Sequence, residues 1–155
     1  MVKKNMKTQI EAIIKFSRIA ETDQDWEKID NHIQKLSKLN PNAAADFVLP
    51  FTDDSDSKVR DTTATILEIL DLEDSSILGK ATDKMIFQAT NDEDIFASGR
   101  AATFLIKHKE NPFLREDINE ALEIFKQKVI EKKWQKELID NIFNKSLHQL
   151  LIKSK

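Results

Sequence analysis

No cysteine occurs in this 155-residue chain, so disulfides, thiolate nucleophiles and cysteine-ligated metals are excluded. Tyrosine is also absent, and glycine (2) and proline (3) are scarce. No glycine-rich phosphate loop is present. No run approaches the roughly 18 apolar residues of a membrane span. The opening MVKKNMKTQI lacks an apolar stretch of signal-peptide length. A cytoplasmic protein with no membrane partner is the simplest expectation. What remains is rich in Lys, Glu, Asp, Ile, Leu and Ala, with nine Phe. That is the profile of an all-helical chain, and the length suits a single domain over residues 1–155.

The net charge of −3 conceals an asymmetry. Residues 1–99 carry 12 Lys and Arg against 19 Asp and Glu, whereas residues 100–155 carry 12 against 8. Such polarity bears on partners rather than on fold.

A shift of 38 residues superimposes much of the middle of the chain on itself. Phe47, Val48 and Leu49 fall on Met85, Ile86 and Phe87, and Thr52, Asp54 and Asp56 fall on Thr90, Asp92 and Asp94. Val59, Thr63, Ile66 and Leu67 fall on Ala97, Ala101, Phe104 and Leu105, a spacing that places them on one helix face. The acidic residues ahead of each stripe suit an N-cap and first turn, because their oxygens accept orphan backbone N–H groups at the positive helix end.

About eight helices are expected. They lie near 5–20 (Ile10, Ile13, Ile14), 24–39 (Trp26, Ile29, Ile33, Leu36, Leu39), 41–51, 55–71, 76–89, 92–109 and, as two helices or one kinked pair, 112–153. Asn40-Pro41 and Asn111-Pro112 each read as an N-cap followed by proline at the first helical position, and Pro50 falls in the last turn of its helix. Trp134, Leu138, Ile142 and Phe143 form a further stripe at a shift of 37. Consecutive hairpins of near-constant period predict an α-solenoid of three to four helix pairs, with a closed helical bundle as the alternative.

The stretch DDSDSKVRDTTATILEIL resembles the HEAT repeat, an armadillo-like family whose pattern is an Asp-rich turn, Val-Arg, small residues and a leucine stripe. Asp54, Asp56, Val59, Arg60, Ala64, Leu67 and Leu70 carry the likeness, which extends over residues 42–109. In the second copy Ala97 stands for Val and Ser98 for Arg. The resemblance implies a protein-binding scaffold. It also implies that turn Asp and helix Arg bond between neighbouring repeats as a ladder, here broken after one rung. Some HEAT-like proteins are chromophore lyases, metal-dependent hydroxylases or DNA glycosylases, and a lyase role here would fall to Asp61 or Glu68.

Catalytic motifs are otherwise missing. An EF-hand beginning at Asp54 would need Gly and Glu where Val59 and Thr65 stand. His32, His108 and His148 lack metal-site spacing, so no metal or cofactor is expected. His108 reads as a helix-end histidine on a buried stripe. No serine sits in a nucleophile motif. The expected role is therefore non-enzymatic binding of another protein or peptide.

The surface expected to do this is the face of the second helices opposite their stripe. It comprises Ala64, Thr65, Ala102, Thr103 and Ile106, flanked by Glu68, Arg100 and Lys107. Close packing on a neighbouring helix is the alternative for these residues. Gly99 is open to the same two readings, packing or a shallow docking surface. The basic cluster KQKVIEKKWQK, from Lys126 to Lys136, reads as a solvated lysine face with Trp134 in the core. Its alternatives are nucleic acid, which a pI near 5.7 argues against, and head-to-tail association with the acidic half of a second copy.

Overall fold

The computed structural model describes residues 2–36, 38–72, 75–141 and 145–153. Among the described residues the chain is all-helical. α1 spans Val2–Ile19, α2 Asp23–Leu36, α3 Pro41–Val48, α4 Ser57–Ile69, α5 Ser75–Asn91, α6 Ile95–His108, α7 Arg115–Lys132, α8 Gln135–Asn141 and α9 Lys145–Lys153. A 3-10 turn over Leu49–Asp53 follows α3. No helix in this set is long and apolar enough to cross a membrane. Two compact units are present, Met1–Ala81 and Thr82–Lys155. In the first, α1 packs on α2, α3 and α4, and α4 also packs on α2 and α3. In the second, α6 packs on α7, α8 and α9.

The acidic turns form as the sequence requires, and in the same way twice. Asp54 Oδ1 accepts the Asp56 N–H at 2.9 Å, and Asp92 Oδ1 accepts the Asp94 N–H at 2.9 Å. The second aspartate of each pair then caps its helix, Asp56 on the Lys58 N–H and Asp94 on the N–H groups of Phe96 and Ala97. Behind the caps, Val59, Ala97, Ala101, Ile66, Phe104, Leu67 and Leu105 are all completely buried, as is Thr63.

The helices before these turns match at 37 residues instead of 38. Ala44, Ala45, Val48 and Thr52 are buried, and so are Ala81, Thr82, Met85 and Ala89. At the expected shift Leu49 is buried but its counterpart Phe87 is 65% exposed. The first copy passes through a 3-10 turn over Leu49–Asp53 and takes two steps from Thr52 to Asp54, whereas α5 stays α-helical to Asn91 and three steps lead from Ala89 to Asp92. Pro50 thus lies in this 3-10 turn rather than in the last turn of an α-helix.

The two Asn-Pro pairs diverge. Asn40 Oδ1 accepts the Ala43 N–H at 3.1 Å and Pro41 opens α3, as expected. Asn111 instead accepts the Phe113 N–H at 2.9 Å and its carbonyl takes Leu114, closing a turn, so α7 starts only at Arg115. α7 ends where Lys133 adopts φ 60°, with Trp134 N–H bonded to Val129 O and Lys133 N–H to Ile130 O, a left-handed helix stop. Of the last expected stripe, Leu138 is buried, Trp134 is half-buried, and Ile142 and Phe143 lie outside the described residues.

Arg60 Nη1 donates to the carbonyls of Asp54 and Ser55, within its own turn. The Asp54 carboxylate is held by Arg18 of α1, through two hydrogen bonds of 2.9 and 2.6 Å. That guanidinium keeps Asp54 below the usual carboxylate range, against the upward push of its partial burial.

Candidate functional site

A concave feature of the first unit lies between α1 and α2. The apolar residues of α1 at Met6, Ile10, Ile13 and Ile14 and of α2 at Ile29, Ile33 and Leu36 recur at helical spacing and bury the facing stripes. The short link between the helices is fixed by a reciprocal cap. Thr22 Oγ1 accepts the Asp25 N–H, and Asp25 Oδ2 accepts the N–H groups of Glu21 and Thr22. These backbone donors hold Asp25 below its ordinary carboxylate range.

Outside the buried stripe the two helices leave a groove of about 680 Å³. α1 supplies Thr8, Gln9, Ala12, Ile13 and Phe16, α2 supplies Lys28, Ile29, His32 and Lys35, and Leu39 closes one end. Ile13 and Ile29 are buried at its base, Phe16 and Leu39 are half-buried, and Ala12 is exposed. An opening of this size with an apolar floor is of the dimensions that ligands occupy. Its positive charge is confined to one edge, where Lys28, His32 and Lys35 project from α2 and are all exposed.

The expected docking patch fares differently. Ala64 and Ala102 are 0% exposed and Thr103 2%, so these three offer a partner no surface. Small side chains at these positions let helices approach closely, which is the packing alternative. Gly99 is buried as well, in line with the packing reading. Thr65, Glu68, Arg100 and Ile106 are half-buried and Lys107 is exposed. Thr65 and Thr103 each turn their hydroxyl back on their own helix, to the carbonyls of Asp61 and Arg100. Asp61 is half-buried on α4.

The lysine cluster on α7 is mixed. Lys128 is half-buried and its Nζ donates to Ala89 O at 2.7 Å, Asp92 O at 2.9 Å and Ser98 Oγ at 2.6 Å. It thereby supplies a cation beside the turn where Ser98 replaces the expected arginine. Burial pushes its pKa down to about 8, against the pull of Asp92. Lys126 pairs with Glu123 at 2.9 Å and Lys132 with Glu93 at 3.2 Å. Trp134 is flanked by the ammonium groups of Lys128 and Lys132, 5.3 and 5.6 Å from the ring centre. A wholly solvated lysine face with Trp134 in the core is therefore corrected: Lys128 is a structural clamp and Trp134 its half-buried platform. A shallower hollow of about 570 Å³ beside Lys128 includes Glu123 and Glu131 on its walls.

His108 ends α6 with its ring 4.6 Å from that of Phe104. Among the described residues no group of three His, Asp or Glu is placed to hold a metal ion. Sequence reasoning missed the α1–α2 groove. The spacing of Lys28, His32 and Lys35 was visible, but which helix would face them was not. Comparison with known protein families, with curated proteins and with solved structures found no match to this chain.

Proposed function

We propose that this chain is a non-enzymatic, HEAT-like helical-repeat module of α-solenoid type that acts in the cytoplasm as an adaptor for another protein. The observation that carries the reading is the groove between α1 and α2, about 680 Å³ with an apolar floor, built on two helices whose connection is locked by the Thr22–Asp25 cap. The repeated Asp-x-Asp turns, with matching buried stripes behind them, support the repeat architecture. The groove takes over the role assigned from sequence to the second-helix face, whose central residues are buried.

The test is capture of partners from a lysate of the native host with wild type and with Ala12→Arg, which sets a long charged side chain in the groove at an exposed position. Both proteins are first compared by circular dichroism. A partner held by wild type and lost by the variant supports the adaptor. Partners retained equally by both overturn the groove as the binding site.

A further inference from the structure

We infer that the occupant of the α1–α2 groove is an amphipathic helix of another protein that carries a row of acidic residues along one flank. The inference rests on the protein-binding reading above and specifies the partner's chemistry. The floor calls for apolar side chains, since Ile13, Phe16, Ile29 and Leu39 line it. The charge calls for something longer than a single head group. Lys28, His32 and Lys35 stand at intervals of four and three residues on one helix, a row about 10 Å long at 1.5 Å per residue. The carboxylate of a fatty acid would meet one member of that row. Asp25, the α2 carboxylate on which Lys28 acts, is committed to the backbone N–H groups of Glu21 and Thr22.

A helix laid along the groove presents side chains at the same three- and four-residue intervals. Acids so spaced on one flank meet Lys28 and Lys35, with the His32 ring between them, while its apolar stripe enters the floor. The α1 wall bears Thr8 and Gln9 and no charged lining residue. The partner's other flank therefore needs no charge, and the cationic edge sets how the helix is turned about its axis.

The test measures binding of fluorescent peptides of about 18 residues, long enough for several turns, to the full chain by anisotropy. One peptide has a leucine stripe with a glutamate flank, a second the same stripe with a lysine flank, and a third the glutamate flank with serine replacing leucine. The first is expected to bind about tenfold more tightly than the second, as two charge pairs swapped from attraction to repulsion would give. The third is expected not to bind. Raising salt from about 50 to 300 mM should weaken the first several-fold. The double variant Lys28→Glu/Lys35→Glu, altered only at exposed positions, should reverse the preference between the first two.

Equal affinity for the glutamate and lysine peptides, or no reversal in the double variant, overturns the inference. If Ala12→Arg then abolishes both equally, the groove still docks helices and only the acidic flank falls. If Ala12→Arg leaves every peptide unaffected, the groove reading falls too. Saturable oleate binding without peptide binding would make the site a lipid site. A concentration-dependent dimer broken by Ala12→Arg, again without peptide binding, would make it a self-interface. Either result overturns the inference.

Discussion

At the scale of single residues, the chain mixes positions whose chemistry is local with positions whose chemistry comes from far along the sequence. Gly79 is local. It lies inside α5, and a methyl group added there would touch nothing within 4 Å. Gly79→Ala should raise stability by about 0.5–1 kcal/mol through helix propensity, read as a shift in the urea midpoint without a change in slope. Lys133 is local in the opposite sense, a side-chain-bearing residue at φ 60° where glycine fits without strain. Lys133→Gly should stabilise by about 1 kcal/mol in the same measurement. Asp54 depends on distance. Its pKa is lowered by Arg18, 36 residues earlier, so the pair adds stability above the unfolded carboxylate value of 3.8. That contribution disappears as pH falls through the depressed folded value, and Asp54→Asn should remove this part of the acid sensitivity in a pH series of denaturation curves. Lys128 is the extreme case. Its three acceptors lie 30 to 39 residues away, and a lysine on the outer face of a helix carries no mark in sequence that distinguishes a clamp from a solvated charge.

At the scale of elements, capping and stripes were legible and phase was not. Asp56 and Asp94 could be assigned as caps because an N-cap involves only its own side chain and the next few N–H groups. Asn111 misled because the same side-chain bond that caps a helix also closes an Asx turn, and the choice falls to the residues that follow. The face opposite the stripe misled for another reason. α4 buries Thr62, Thr63, Ala64, Ile66 and Leu67, and α6 buries Ala101, Ala102, Thr103, Phe104 and Leu105, so neither helix has the single wet side that a wheel assumes. Placing a charge there tests this directly. Ala64→Arg and Ala102→Arg should each abolish cooperative thermal unfolding or lower its midpoint steeply, as an unpaired charge in a filled site must. Phe104→Ala should cost about 3–5 kcal/mol by emptying the centre of the α6 face.

At the scale of the whole molecule, charge and repetition speak to different things. The excess of acid in residues 1–99 and of base in residues 100–155 leads to an expectation of weak self-association at low ionic strength. Sedimentation velocity should show it receding between about 20 and 300 mM salt, where the screening length falls below 10 Å. Repetition was readable as two acidic turns in which the first aspartate accepts the N–H of the second, but the helices leading into them are out of step by one residue. The first copy reaches its turn through the 3-10 residues Leu49–Asp53 and the second through unbroken α-helix. What the two copies hold in common is the pair of aspartates, and the number of amino acids spent in reaching it is free to differ. An inserted or deleted residue just before such a turn need not ruin a repeat, provided the chain can change its winding. Repeats kept in this way drift apart when they are counted and still meet at the turn.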